Sequence, residues 1–405
     1  MSLISLPPKA EAPGSQGLDG PLCLAAAGLA ALGLLMLTSA SLPLAVERYD
    51  QPFHFALRQG VFLVVGLVAA RLMLAIPLGF WEYRSGLALA AAVGLLVLVL
   101  IPGVGREVNG STRWIDLGVV NLQVSEPAKL LVLIYLAGYL DRHGQAMAHQ
   151  WWAMLKPLLV LGLLGLLLLL EPDFGAAAVL LAMALGMMFL AGVHVSRFVA
   201  LQGVVALVLL VLICSSEYRL RRLLSFFDPF ADPFGSGFQL VHALIAVGLG
   251  GGDGSGLGHS VQKLAFLPEA HTDFIFAVLA EELGLWGVVG VVVLFAVVVG
   301  RAFAISAPAQ AQNDTFAATL AAGIGLWFGL QALINMGVNL GLLPTKGLTL
   351  PLMSYGGSSL VVMCAALGLL LRIGVETANG ADRGEDAPEA QDPPGETPKP
   401  QGEVR

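Results

Sequence analysis

The chain has 405 residues, 57% of them hydrophobic and only 12% charged, with a mean hydropathy of +0.82 and a net charge of −7. Soluble domains carry roughly 25% charged residues, so a soluble enzyme is excluded, and the acidic balance offers nothing to a nucleic acid. Three scattered cysteines, Cys23, Cys214 and Cys364, form neither a disulfide framework nor a metal-ligand spacing and read as packed thiols.

Residues 1–19 are polar and read as a short disordered tail. Residues 20–46 follow no basic leader and are too long for a signal segment, so they read as a retained first span. A span needs about 20 mostly apolar residues, and 85–105, 174–196, 198–216, 315–345 and 347–371 also lack any Asp, Glu, Lys or Arg. The predicted spans are 20–42, 53–74, 85–103, 126–140, 156–171, 174–194, 198–215, 274–299, 315–342 and 357–374. The fold class is therefore an all-α integral membrane protein of about ten transmembrane helices. An even count puts both tails on one side, and 376–405, rich in Pro, Glu, Asp and Gly, reads as a second disordered tail.

Lys and Arg divide almost evenly between the two sides, so charge bias does not set the orientation. With the tails inside, Arg106, Arg113, Arg219, Arg221, Arg222, Lys263 and Lys346 fall in outer loops. Ordinary solvated loop charge explains them, and so does a site for an anionic headgroup. Two segments break the helix-and-short-loop pattern. Residues 216–273 are far longer than the usual link and contain 238–247, predicted as a short helix on or in the membrane. Residues 343–359 hold two prolines and a Tyr355-Gly356-Gly357 turn. Irregular backbone at membrane depth needs protein cover or a wet cavity, so one cavity on the outer side is predicted, shared with 109–127.

The stretch LPEAHTDFIFA clusters Glu269, His271 and Asp273 where a span begins. Asp273 reads as a helix cap or as an ionisable group marking a reaction path. The run GLGGGDGSGLG (248–258) fits no phosphate-loop register and reads as a tightly turning loop. Glu126 and Lys129, three apart, share a helix face. They form an ion pair that also lines the cavity, because a pair facing lipid would be the costliest arrangement. In LPTKGLTLPLMSYGGSS, Lys346 sits between Pro344 and Pro351 with Ser354, Ser358 and Ser359 nearby. It reads as a lone interfacial lysine or as a point charge for phosphate oxygen. Glu281 and Glu282 lie inside a span, with either a functional or a hydrogen-bonded structural role.

The motifs NGSTRWIDLG, SEPAKL, EPDFG, GLGHSVQKLAFLPEAHTDFIFA, EELG and LPTKGLTLPLMSYGGSS, in this order, resemble the SEDS family of polytopic cell-wall polymerases over about residues 20–375. The form PTKGLTLP is similar to the division branch more than to the elongation branch. Val124, where the family usually has Pro, and 252–255, where it often has an aromatic, depart from the pattern and touch loop shape only. The resemblance implies a peptidoglycan glycosyltransferase of the bacterial cytoplasmic membrane that polymerises lipid II on the outer face at the division septum, both termini cytoplasmic. It implies partnership with a class B penicillin-binding transpeptidase of the FtsI type and with divisome regulators of the FtsQ, FtsL, FtsB and FtsN types. Asp273 matches the family's essential acid; Glu126, Lys129 and Lys346 match its cavity charges, and Arg113 and Lys263 are weaker matches. Glu269, His271 and Ser358 are taken as further substrate contacts. No dedicated metal cage is evident, although a divalent cation, Mg or Mn, bridging Asp273 and pyrophosphate would assist departure of the leaving group. A lipid II flippase, an elongation polymerase and a non-catalytic scaffold are the competing readings.

Overall fold

Without water to bond to, a backbone must satisfy its own N–H and C=O groups, and this chain does so mostly as helix. The computed structural model describes residues 17–108, 111–116, 118, 121–214, 217, 220, 225–264, 266–345 and 347–385. Helices α1 (Gly20–Tyr49), α2 (His54–Ala75), α3 (Leu78–Tyr83) and α4 (Ser85–Val99) lead into a small antiparallel sheet. Its strands β1 (Gly105–Val108), β2 (Ser111–Asp116) and β3 (Asn121–Gln123) lie in that order, with Trp114 opposite Arg106 on one side and Gln123 on the other. Then follow α5 (Ser125–His149), α6 (Trp151–Leu170), α7 (Phe174–Leu190), α8 (Val195–Cys214), α9 (Phe238–Gly250), α10 (Ile275–Ala311), α11 (Thr315–Asn339) and α12 (Gly357–Glu385).

Helices stand at all ten predicted span positions. By length and composition, α1, α2, α6, α10, α11 and α12 are able to cross a membrane. At 15 and 17 residues α4 and α7 are shorter, and α5 carries Glu126, Lys129, Asp141 and Arg142. The short helix foreseen at 238–247 is α9. Two features were not foreseen: the sheet, an exception to the all-α class, and α3. The boundary predicted at 375 is passed, for α12 runs on to Glu385. The tail segments 1–16 and 386–405, expected from sequence to be disordered, lie outside the described residues.

Helix α11 is apolar around most of its circumference, the signature of a helix surrounded by protein. Trp327 and Phe328 are fully buried there, and α5, α7, α10 and α12 pack against it. Helix α2 is peripheral: Leu57, Val61, Val64, Leu67 and Val68 are exposed, while Phe55, Gln59 and Gly66 face inward. An exposed apolar face of this kind is what lipid contact requires.

Helix α10 is broken at Gly284, whose φ of 63° and ψ of −158° are accessible essentially to glycine alone. The glycine-rich segment closes against this break. Ser255 and Gly256 donate to the Glu281 and Glu282 carbonyls at 2.9 and 3.0 Å, and the Leu285 N–H is shared by the Gly251 and Gly252 carbonyls. A Cβ at Gly284 would collide with the Gly252 and Gly254 backbones. The tight turning foreseen for 248–258 thus serves to dock the loop onto a helix break. Gly284→Ala is expected to destabilise the protein by about 1–3 kcal/mol, read as a lowered melting temperature in detergent. Gly290→Ala, with open space at its Cβ, should melt like wild type.

Candidate functional site

The starts of α5, α7, α10 and α12 and the end of α11 converge at the end of the bundle that carries the sheet. Lys129 is wholly buried and Glu126 nearly so. The Lys129 ammonium donates to Glu126 Oε1 and to Gln331 Oε1, both at 2.9 Å, and stands 5.2 Å from the centre of the Trp327 ring. Gln331 Nε2 donates to the Thr349 carbonyl at 3.0 Å, and Ser359 Oγ donates to Glu126 Oε2 at 3.2 Å. The pair foreseen from the i, i+3 spacing therefore forms, turned toward protein and away from lipid, and it joins α5, α11, α12 and the 343–359 segment.

Asp273 is half-buried in the turn that opens α10. Asn335 Nδ2 and Asn339 Nδ2 both donate to its backbone carbonyl at 3.0 Å, and Asn335 Nδ2 also donates to the Leu348 carbonyl at 2.6 Å. Asn339 Oδ1 accepts from the Ala277 N–H at 3.1 Å, serving one of the amides in the first turn of α10. A Cβ at Gly347 would lie 3.2 Å from Asp273 Oδ2, so this carboxylate borders the neighbour of Lys346; Lys346 itself lies outside the described residues. His271 accepts from the Tyr355 N–H at 3.0 Å through its carbonyl, and its ring lies among Phe55 and Tyr355. Burial pushes His271 below the ordinary histidine range; Glu269 opposes this shift and Arg48 adds to it. Glu269 is exposed at a φ of 57° and accepts from Thr272 Oγ1 at 2.8 Å.

The Glu171-Pro172-Asp173 corner does more than turn the chain. Asp173 caps α7 through the Ala176 N–H at 3.0 Å, accepts from Ser125 Oγ at 3.0 Å, and lies 3.8 Å from the Arg113 guanidinium. Ser358 Oγ accepts from the Gln123 N–H at 3.2 Å, tying α12 to the sheet. Glu171, outside both flanking helices, is buried, and among the described residues neither of its oxygens has a hydrogen-bond partner. Burial pushes its carboxyl up to about 8; Asp173 adds to the shift and Arg113 opposes it.

Lys263 spends its charge elsewhere. It donates to Glu282 Oε1 at 2.6 Å and to Ser39 Oγ at 2.8 Å. Glu281 accepts from Ser260 Oγ at 2.5 Å and from the Val261 N–H at 2.8 Å. Both acids are thus hydrogen-bonded clasps for the loop, the structural one of the two roles open from sequence. A cavity of about 550 Å³ lies beside this clasp, walled largely by leucines of α1 and of 257–264, and its lining includes Lys263 but not Asp273, Glu126 or Lys129. Among the described residues no cluster of three His, Cys, Asp or Glu side chains is placed to hold a metal ion.

Sequence reasoning passed over Gln331, Asn335 and Asn339. Their spacing of four puts them on one face of α11, and amides repeated at that interval in an otherwise apolar span were the available signal.

Fold and site define a multi-pass membrane protein with a buried ion pair and a half-buried aspartate at one end of its helix bundle. The sequence profile of the FtsW/RodA/SpoVE family, described as cell cycle proteins, matches residues 21–379, and the chain belongs to that family. It is 55% identical over 363 residues to the probable peptidoglycan glycosyltransferase FtsW of Thioalkalivibrio sulfidiphilus, covering 90% of this chain and 91% of that one. It is 54% identical over 356 residues to the protein of the same name in Methylococcus capsulatus, covering 88% and 89%. Among solved structures, a chain from work on the structural coordination of polymerization and crosslinking by a peptidoglycan synthase complex superposes with a TM-score of 0.72 at 33% identity, covering 89% of this chain and 98% of that one. The rod shape determining protein RodA of Thermus thermophilus superposes at 0.66 with 31% identity, covering the same shares.

Removing one partner of a buried ion pair strands the other charge, at about 3–5 kcal/mol. Lys129→Met is expected to lower the melting temperature sharply, and Glu126→Gln combined with Lys129→Met to regain much of it. For Glu171, the folded-state value lies above the ordinary 4.5, so its contribution is intact below that pH. It is lost as pH rises toward about 8. Glu171→Gln should flatten this part of the profile of melting temperature against pH.

Proposed function

We propose that this chain is a peptidoglycan glycosyltransferase that polymerises lipid II into β-1,4 glycan strands at the outer face of the cytoplasmic membrane during septal wall synthesis. The observation that carries the reading is the placement of Asp273. It is a half-buried carboxylate beside Gly347, its peptide held by two buried amides, at the end of the bundle where Glu126 and Lys129 are paired. The names borne by relatives of 55% and 54% identity support the same chemistry.

The reaction follows from the substrates. The acceptor's sugar 4-hydroxyl attacks the anomeric carbon of the donor, a C–O bond forms there, and the bond to polyprenyl pyrophosphate breaks. A hydroxyl is a poor nucleophile until it sheds its proton; a carboxylate within reach takes it as attack proceeds, contributing typically about 10²–10⁴-fold. Asp273 has that role. Turning an α-linked donor into a β-linked product requires one inverting displacement and no sugar–enzyme adduct. The departing diphosphate gathers negative charge, which Lys346, next in sequence to Gly347, is suited to receive as a compact cation. A Mg or Mn ion, where one takes part, would supply further charge neutralisation, with Asp273 as its protein ligand.

Arg113, 3.8 Å from Asp173 and partly exposed, is the cation assigned to the headgroup in this reading. Ser358 and Lys129 are buried, so both act through the groups they hold, Ser358 through the Gln123 N–H and Lys129 through Glu126 and Gln331. The partner is a class B penicillin-binding transpeptidase, supported by the likeness to a chain of a peptidoglycan synthase complex. Regulators of the FtsQ, FtsL, FtsB and FtsN types and cytoplasmic termini belong to the same reading.

Asp273→Asn should fold and reach the membrane yet make no polymer from labelled lipid II with the transpeptidase present. Full activity in that variant removes Asp273 from the mechanism. Headgroup translocation without polymer in wild type replaces the polymerase by a flippase.

A further inference from the structure

The transfer reaction requires a base and a pyrophosphate-binding loop at a set separation, yet Asp273 and 345–349 belong to segments more than seventy residues apart in sequence. The Asn335 side chain bridges them. We propose that Asn335 is a positioning residue: its amide ties the Asp273 peptide to the Leu348 peptide and thereby sets the general base against the loop that carries Lys346. This inference rests on the polymerase reading above.

The geometry is specific to a primary amide. Asn335 Nδ2 has two hydrogens, and two carbonyls lie in range, Asp273 O at 3.0 Å and Leu348 O at 2.6 Å. Asn335 is 2% exposed, so bulk water does not reach it to stand in for either bond. Four residues later, Asn339 donates to the same Asp273 carbonyl at 3.0 Å and to the Asn335 carbonyl at 2.8 Å, while its oxygen holds the Ala277 N–H. Four residues earlier, Gln331 holds the Thr349 carbonyl at 3.0 Å and receives the Lys129 ammonium. The three amides therefore form one rail along α11. Gln331 and Asn339 each fasten a single flank of the site, whereas Asn335 alone of the three bonds both segments directly.

A rail that only satisfied buried carbonyls would affect folding and nothing else. One that positions the base must affect turnover in the molecules that do fold, because a displacement of about 1 Å can cost on the order of 10²-fold in rate. The test uses the full chain in complex with its transpeptidase, with labelled lipid II varied in concentration. Activity is counted per folded protein, and hydrogen exchange is followed over 271–277 and 347–349. Asn335→Ala, and the isosteric Asn335→Asp that removes both donors, are expected to lower kcat about 10–100-fold with KM changed far less, and to speed exchange in both segments together. Should Asn335→Ala fail to fold, Asn335→Ser, which keeps one donor hydrogen for two carbonyls, is expected to show the same loss of kcat. Wild-type kcat in any folded variant overturns the proposal, as does lost turnover with exchange unchanged in either segment. If wild type makes no polymer, the polymerase reading falls; unchanged exchange in the variants would then overturn the tether, and joint acceleration would support it.

Discussion

Lys129 is wholly buried, where an ammonium without partners is costly, and it donates to Glu126 on its own helix and to Gln331 on α11. The remaining donors and acceptors then have few choices. Glu126 turns its second oxygen to Ser359, Gln331 turns its amide to Thr349, and the 343–359 segment is pinned at the interface of α5, α11 and α12. An ion pair of this kind is poor evidence for net stability, since desolvation offsets much of the attraction. Its consequence is geometric: three helices and one irregular loop must meet in a single arrangement for the charges to be satisfied.

From that fixed point the polar rail of α11 extends the constraint to Asp273. Each side of the aspartate is held differently. Its peptide is bonded to buried amides, whereas its carboxylate borders the Gly347 backbone at the partly open edge of the fold. The general-base role proposed for Asp273 draws on the first of these, because the direction of a base must be preset. The second set of charges, Lys263 with Glu281 and Glu282, works one layer further out by clasping the loop that leads into Asp273. The break at Gly284 lets the same loop reach the carbonyls of α10, which a continuous helix would have kept for itself.

The Glu171 turn stands apart. Its carboxyl is buried beside a second acid and, among the described residues, without a donor, so proton retention is the least costly state there. Asp173, two residues on, is by contrast surrounded by donors from three elements, and the two acids of one short motif thus meet opposite environments.

Composition and uncharged runs sufficed to place the chain in a membrane and to locate helices at ten positions, because helix length and apolarity are local properties that bilayer thickness dictates. The Glu126–Lys129 pair was equally legible, since i, i+3 spacing brings two side chains together within one helix. The order of the motifs named the family. Tertiary structure alone decided what depends on contact between distant segments. It made Lys263 the partner of Glu282, docked the glycine loop on a helix break, and brought three amides of α11 to the carbonyls of Asp273, Leu348 and Thr349. A hydrogen bond between residues sixty apart leaves no trace in local periodicity; only the packed fold shows which carbonyl an amide finds.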